Sequence, residues 1–316
     1  MSEKPDYKFV DHNVAIEDAR AQLLEGLRKP QKEIAPKFFY DERGSELFTL
    51  ITRTDEYYPT RTEIELLRRH GSEMAECIGE SATLLEYGSG SSEKIRTLLE
   101  ILEPRRYVPM DISREYLANS AKVLAKDYPW LEIHATCVDY SKNFDLPESF
   151  DGNVAAFFPG SSIGNFTPEK AYDFLCQVKR HVGSGGLLIG VDLKKDEDVL
   201  NRAYNDAEGL TAEFNLNVLQ HLNREYQGNF DLAKFQHKAC YNRDRGCIQM
   251  FIVSACDQVV SLLGETFALK AGEEIHTENS FKYSEAEFRQ LAYRAGFSRD
   301  QFWTDERQWF GVFYFS

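Results

Sequence analysis

The feature that most constrains the fold is an apolar segment that ends in a glycine turn and leads directly into a helix-forming stretch. The segment Leu84–Lys94 reads Leu-Leu-Glu-Tyr-Gly-Ser-Gly-Ser-Ser-Glu-Lys. Gly88 and Gly90 permit a positive φ and leave the backbone open to a ligand. Open α/β sheets form a small-molecule pocket in this way, at the carboxyl end of a strand. The pattern Glu-x-Gly-x-Gly alone does not identify the ligand.

The composition is that of an ordinary globular protein with an acidic net charge. The chain has 316 residues, 42% of them hydrophobic and 28% charged, and a net charge of −14. This charge argues against a nucleic-acid partner, because phosphate backbones are bound by clustered Lys and Arg. No apolar run approaches the ~20 residues that span a bilayer, the first residues do not resemble a signal peptide, and the six cysteines form no Cys-x-x-Cys pair. We therefore expect a cytoplasmic monomer with reduced thiols, no metal, and no membrane or nucleic-acid partner.

Strand and helix patterns alternate between residues 62 and 195. The predicted strands are 83–87, 107–112, 131–138, 154–159 and 187–191. The pattern resumes with a helix at 284–295 and two strands at about 301–305 and 309–315, whose short link predicts an antiparallel hairpin. The sequence therefore predicts an α/β fold with a doubly wound, Rossmann-like sheet that ends in an antiparallel hairpin.

Two other parts of the chain do not follow this alternation. Residues 1–30 have helical spacing and are predicted to be a helical lead-in. The insert 196–280 is long enough for a second, α+β lobe. Its predicted elements are a helix-rich piece at 200–217 and strands at 235–241, 247–255 and 265–270.

Aromatic residues concentrate near the start of the chain, at 38–40 and at Tyr57 and Tyr58. One interpretation is packing in a core. The other is that stacked aromatic faces form one wall of a site for a cation or a flat ring.

Polar residues follow three of the predicted strands. Asp111 lies 23 positions after Gly88, where a carboxylate can accept from both ribose hydroxyls of an adenosine. Asp139 could accept from an adenine amino group with Tyr140 beside the base, or it could serve as a turn residue. Asn165 follows the fourth strand and could bind a carboxylate or brace the turn.

The residues after the glycines separate two classes of cofactor. A dinucleotide site favours a third glycine and a helix terminus that accepts a pyrophosphate, whereas this chain has Ser92 and the acidic Glu93. S-adenosylmethionine has no phosphate and carries a sulfonium and an ammonium, so nearby acids are favourable. The sequence therefore favours a methyl donor.

The chain closely resembles the histidine-specific N-alpha methyltransferases of ergothioneine biosynthesis, along nearly its whole length. The segments that carry the resemblance are 39–41, 44–48, 56–61, 87–94, 109–111, 160–165, 212–215 and 278–280. The resemblance implies a class I methyltransferase domain at 62–195 and 281–316, and a substrate-binding lobe at 8–61 and 196–280.

The resemblance also assigns site residues. It implies that S-adenosylmethionine is held by Gly88, Lys94, Asp111, Asp139 and Tyr140. It implies that the amino acid is held by Tyr57, Asn165, Tyr204, Met250, Glu278 and Ser280. Asn165 and Tyr204 would bind the α-carboxylate, while Glu278 and Ser280 would hydrogen-bond the imidazole.

One further residue, Tyr40, completes the implied site. Tyr40 would lie near the amine, through a water molecule, and Met250 would pack near the ring. The implied reaction is the direct transfer of three methyl groups to the α-amine, and the sequence offers no dedicated base.

Three alternatives remain at this point. The same fold methylates tryptophan-derived amines in fungal alkaloid pathways, and Glu278, Ser280 and Met250 argue for the imidazole instead. A cofactor-binding protein without catalysis is disfavoured by the complete set of substrate residues. A nicotinamide oxidoreductase is disfavoured by Ser92 and Glu93.

Overall fold

The chain folds into two compact units, seen in a computed structural model that describes residues 7–12, 16–90 and 93–316. The first unit contains the described residues within 1–14, 59–194 and 282–316, and the second contains those within 15–58 and 195–281.

Strands and helices are numbered along the chain. The strands are β1 (Tyr7–Asp11), β2 (Thr83–Tyr87), β3 (Arg106–Asp111), β4 (Glu132–Cys137), β5 (Val154–Phe158), β6 (Leu187–Asp192), β7 (Phe235–Asn242), β8 (Cys247–Ser254), β9 (Gln258–Leu262), β10 (Glu265–Leu269), β11 (Glu274–Phe281), β12 (Asp300–Thr304) and β13 (Phe310–Phe315). The helices are α1 (Ile16–Arg28), α2 (Glu42–Ile51), α3 (Pro59–Ile78), α4 (Glu93–Leu102), α5 (Arg114–Asp127), α6 (Pro168–Val182), α7 (Glu197–Ala203), α8 (Leu210–Glu225) and α9 (Glu285–Arg294).

The first unit is built on one sheet, in which eight of the described strands lie in the order β1-β4-β3-β2-β5-β6-β13-β12. Strands β1 to β6 pair in parallel, β13 runs antiparallel to β6, and β12 runs antiparallel to β13. The predicted α/β sheet with a terminal antiparallel hairpin is confirmed.

The central strands have no solvent-facing side. Every residue of β2, β5 and β6 is buried, as expected for parallel strands that helices cover on both faces. Helix α3 contributes an apolar stripe to this core, with Leu67, Met74 and Ile78 buried. The continuous apolar runs in the sequence therefore correspond to the centre of the sheet.

The start of the chain differs from the prediction. Residues 1–30 were expected to be helical, and 8–61 to belong to the second lobe, but β1 pairs in parallel with β4 at the edge of the large sheet. Helix α1 is described from Ile16 onward, and residues 1–6 and 13–15 of the predicted lead-in lie outside the described residues. A five-residue edge strand is too short to impose its own period on the sequence and is stabilised by pairing with β4.

The second unit contains a three-stranded antiparallel sheet, β11-β8-β7, and the hairpin β9-β10, among the described residues. The helix-rich piece predicted at 200–217 is two helices, α7 and α8, separated by Gly209 with φ +75°. Strand β11 was not predicted, because its sequence Glu-Ile-His-Thr-Glu-Asn-Ser-Phe has no run of apolar residues although much of it is buried.

No helix among the described residues is long and apolar enough to cross a membrane.

Candidate functional site

The glycine turn after β2 crosses the end of the neighbouring strand β3. Gly88 has φ +71°, and its N–H donates to the Met110 carbonyl at 2.8 Å. A Cβ on Gly88 would lie 2.8 Å from the hydroxyl oxygen of Tyr140. Glycine is therefore required here both by the backbone conformation and by lack of space. Ser92, whose place after the glycines argues against a dinucleotide, lies outside the described residues.

Asp111 and Asp139 lie at the carboxyl ends of adjacent strands. Asp111 ends β3 and accepts from the Ser113 N–H at 2.8 Å, and burial raises the pKa of its carboxyl group. Ser113 precedes α5, and its side chain does not cap the helix. Asp139 follows β4 and accepts from the Ser141 N–H at 3.2 Å. Because parallel strands end at one edge of a sheet, these acids and the Gly88 turn belong to the same edge.

Tyr140 is enclosed by other aromatic rings. It packs edge-on against Tyr87 and Phe158, with ring centroids 6.3 and 5.9 Å away, and against Phe174 at 6.2 Å. Burial raises the pKa of the Tyr140 hydroxyl well above its usual range, so the phenol is neutral. The sequence-predicted residues Gly88 and Tyr140 are thus in direct van der Waals proximity.

Helix α6 anchors the loop that carries Tyr140, a role that the sequence did not reveal. The Gln177 side chain accepts from the Phe144 N–H at 3.1 Å and donates to the Tyr140 carbonyl at 3.5 Å. His181 Nε2 donates to the Phe144 carbonyl at 3.0 Å, which leaves Nδ1 to accept from the Tyr87 hydroxyl at 2.7 Å. Burial lowers the pKa of His181, which favours the neutral ring that this arrangement needs. The helical period of α6 does not distinguish Gln177 and His181 from ordinary core positions, so the sequence contains no sign of this role.

Lys94 forms a buried ion pair with a residue that was not predicted. Its Nζ lies 2.6 Å from Oε2 of Glu63, a carboxylate on α3 that is inaccessible to solvent. The same carboxylate accepts from the Gly160 N–H, with distances of 3.0 and 2.9 Å to its two oxygens. Glu63 therefore links the helix after the glycine turn to the loop after β5.

Asn165 lies at the end of a short 3-10 helix, Ser162–Asn165, that follows β5, and its side chain is half-buried. The preceding Ser161 has φ +56°, and its hydroxyl oxygen accepts from the Asp192 N–H at 2.9 Å. This bond attaches the 3-10 helix to the end of β6. Since β5 pairs with β2, Asn165 follows the strand next to the one that carries the glycine turn.

In the second unit, five aromatic rings form a continuous series. Tyr40 packs edge-on against Phe214 and Phe48, with centroids 5.8 and 6.0 Å away. Phe48 contacts Tyr57 at 6.1 Å, and Tyr57 contacts Tyr204 at 6.3 Å. The rings pack together, as expected for a core, but Tyr40 is not fully buried, so the series is also compatible with one wall of a binding site.

The remaining predicted residues of this unit lie on β8 and β11. Tyr204 donates its hydroxyl hydrogen to Ser280 Oγ at 2.8 Å. Glu278 stands opposite Met250 in the antiparallel register, and it shares a strand face with Ser280 because the two are two positions apart. Glu278, Ser280 and Met250 are buried. The structure thus brings Tyr57, Tyr204, Glu278, Ser280 and Met250 together.

The described residues contain no group of three or more His, Cys, Asp or Glu side chains arranged to hold a metal ion.

The fold and the first unit define a class of protein. A parallel sheet closed by an antiparallel hairpin, with a glycine turn and strand-end acids at its carboxyl edge, is a Rossmann-like, class I methyltransferase domain. The chain belongs to the family of histidine-specific, S-adenosylmethionine-dependent methyltransferases, which matches residues 19–316. The resemblance noted from the sequence is confirmed, and S-adenosylmethionine is the methyl donor of this family.

Individual relatives support the same family. The chain is 41% identical to the histidine N-alpha-methyltransferase of Mycobacterium tuberculosis, over 93% of both chains. It is 39% identical to the histidine N-alpha-methyltransferase of Mycolicibacterium smegmatis, over 94% of both. It is 33% identical to ergothioneine biosynthesis protein 1 of Neurospora crassa, over 92% of this chain and 34% of that one.

Proposed function

We propose that the protein is an L-histidine N-alpha-methyltransferase that transfers three methyl groups from S-adenosylmethionine to the α-amine. The product is N,N,N-trimethylhistidine (hercynine), the first intermediate of ergothioneine biosynthesis. The names of the two mycobacterial relatives support this reaction. The observation in the chain that carries it is the buried carboxylate of Glu278, on one strand face with Ser280.

The first unit has the chemistry to hold S-adenosylmethionine. Gly88 lets the Tyr140 side chain lie directly against the glycine turn, where the ring would contact the adenine. Burial raises the pKa of Asp111, so its ionised form needs donors. Two ribose hydroxyls would supply them, while Asp139 would accept from the adenine amino group. Lys94 would bind the methionine carboxylate with Glu63 as its fixed partner.

The second unit has the chemistry to select histidine. A carboxylate at Glu278 facing an imidazole N–H rejects side chains with no donor there, because a buried acid without a partner is costly. Ser280 Oγ accepts from the Tyr204 hydroxyl and lies on the strand face of Glu278, where its hydroxyl would donate to the ring nitrogen that lacks a proton. To hold the α-carboxylate together with Asn165, the Tyr204 hydroxyl would turn its hydrogen from Ser280 to the carboxylate. Met250 would pack against the ring.

Catalysis would come mainly from positioning. Bound S-adenosylmethionine supplies an electrophilic methyl carbon. The lone pair of the α-amine forms the new N–C bond in line with the breaking C–S bond, whose electrons remain on sulfur. The amine must lose a proton before each transfer, and water near Tyr40 would accept it. The neighbouring aromatic faces of Phe48 and Tyr57 would favour the methylated, finally quaternary, cation.

The reaction is tested by incubating the purified protein with S-adenosylmethionine and a panel of amino acids. We expect histidine alone to gain three methyl groups by mass spectrometry. If histidine stays unmodified while a tryptophan derivative gains methyl groups, the proposed substrate is wrong, and the protein methylates a tryptophan-derived amine instead.

The role of Glu278 is tested separately. In Glu278→Ala we expect histidine turnover to be lost, and in Glu278→Gln a KM for histidine raised by about 10- to 100-fold, since a hydrogen bond to a charged group contributes about 1.5–3 kcal/mol. Binding of S-adenosylmethionine should be unchanged in both. Glu274→Gln, at the start of the same strand, is the matched control and should behave as wild type. Loss of cofactor binding in Glu278→Ala would refute this division of roles.

A further inference from the structure

A fully buried amide in the second unit connects three strands of its sheet. Asn215 lies on α8, and its Nδ2 donates to the Phe251 carbonyl and to His237 Nδ1, both at 2.9 Å. Its Oδ1 accepts from the Thr277 hydroxyl at 2.8 Å. These bonds attach the helix to β8, β7 and β11.

The network has one consistent direction of hydrogen bonds. The Phe251 carbonyl can only accept, so it fixes the orientation of the Asn215 amide. The second N–H of that amide then points at His237 Nδ1, which must carry the lone pair. The ring proton is on Nε2, which donates to the Tyr204 carbonyl at 3.1 Å. Asn215 thereby determines how the backbone of Tyr204 is held.

The other branch reaches the strand that carries Glu278. In β11 the pairing with β8 shifts between His276 and Glu278, and Thr277 has no partner in the register. Such a bulge leaves one residue unpaired and changes the direction of the side chains that follow. The Thr277 hydroxyl on Asn215 secures this bulge, and the next residues, Glu278 to Ser280, resume regular pairing.

We infer that Asn215 is a positioning residue for ring recognition. Through His237 it holds Tyr204, and through Thr277 it holds the strand segment of Glu278 and Ser280. These two branches meet again where the Tyr204 hydroxyl donates to Ser280. The network therefore sets the distance between the groups that face the ring. This inference rests on the proposed histidine methylation.

The test uses the Thr277 branch, where an isosteric change removes a single hydrogen bond. Thr277→Val deletes the hydroxyl, and Thr277→Ser retains it. Thr266→Val, at an exposed position of strand β10 in the same unit, is the matched control. Each variant receives S-adenosylmethionine and an equimolar mixture of histidine and 3-(2-thienyl)alanine, whose ring has a similar size but no N–H.

The measured quantity is the ratio of the two methylated products by mass spectrometry. This ratio does not depend on how much of a variant is folded, because both substrates compete for the same active molecules. We expect Thr277→Val to lower the histidine preference by about five- to tenfold, the value of one hydrogen bond, while Thr277→Ser and Thr266→Val stay within about twofold of wild type. The KM for S-adenosylmethionine should not change.

Two results would overturn the inference. One is an unchanged product ratio in Thr277→Val. The other is an equal loss of preference in Thr277→Ser, since that variant keeps the hydroxyl. Absence of histidine methylation by the wild type is a different outcome, because it refutes the proposed function itself.

Discussion

Replacing Gly88 by alanine combines two costs that can be measured separately. The first is conformational, because a φ of +71° costs a residue with a Cβ about 1–2 kcal/mol. The second is steric, because the added Cβ would lie 2.8 Å from the hydroxyl oxygen of Tyr140. Tyr140 is packed among aromatic rings, so moving it off its rotamer adds about 1 kcal/mol. We expect Gly88→Ala to lower the free energy of unfolding by about 2–3 kcal/mol.

Two further variants isolate each cost. Gly152→Ala is the control for conformation, since Gly152 has φ +87° in the same unit and a Cβ there would meet nothing within 4 Å. It should lose only about 1–2 kcal/mol. In Gly88→Ala combined with Tyr140→Phe the clashing oxygen is gone, and the nearest remaining ring atom is 3.4 Å from the Cβ. The double variant should recover about 1 kcal/mol relative to Gly88→Ala.

The assay is urea unfolding of wild type, Gly88→Ala, Gly152→Ala and the double variant. Their free energies of unfolding are compared after checking that the m-values agree, and the KM for S-adenosylmethionine is measured for each. The KM should rise in Gly88→Ala and fall back towards wild type in the double variant, because the aromatic ring at position 140 regains its place beside the glycine turn. Equal stability losses in Gly88→Ala and Gly152→Ala, with no recovery on Tyr140→Phe, would refute the steric part of the reasoning.

Three other perturbations follow from buried ionisable groups in the described residues. Burial raises the pKa of Glu86 from 4.5 to about 8, so the folded state holds a proton that the unfolded state releases, and stability is lost as pH rises from about 4.5 to 8. In Glu86→Gln this loss should vanish. The free energies of unfolding of variant and wild type, measured in urea, should therefore diverge by about 1 kcal/mol per pH unit. Glu63→Gln leaves Lys94 without its buried counter-charge and should lower the free energy of unfolding in urea by about 3 kcal/mol. A decrease below about 0.5 kcal/mol would show that the pair is not buried in solution. Burial lowers the pKa values of His181 and His237 from 6.5, so these groups reduce stability as pH falls below about 6.5. His181→Gln and His237→Gln should each make the melting temperature fall less steeply between pH 7 and 5. A variant whose melting temperature depends on pH as that of the wild type does would contradict this.

Much of the first unit could be predicted from local sequence. The apolar runs at β2, β5 and β6 are buried along their whole length, as predicted for a parallel sheet. A threonine followed by a proline is typical of a helix start. Pro168 begins α6, and the Thr167 side chain accepts from the Lys170 N–H as a helix cap does. These features depend on neighbours within a few residues, so the local pattern is sufficient.

The unpredicted elements depend on distant partners. Strand β11 is polar, and its burial is offset by hydrogen bonds to residues elsewhere in the second unit, such as Thr277 to Asn215. Strand β1 exists through its pairing with β4, more than 120 residues away along the chain. Neither has a hydrophobic period that would reveal it.

The sequence by itself determined the alternating α/β architecture, the glycine turn and the family to which the chain belongs. Only the tertiary structure showed the ion pair of Lys94 with Glu63 and the network of Asn215, His237 and Thr277. The physical reason is that a strand or a turn is specified by the chemistry of adjacent residues. A buried polar side chain is instead specified by the partners that the fold brings to it, and these partners leave no periodic signal in the sequence.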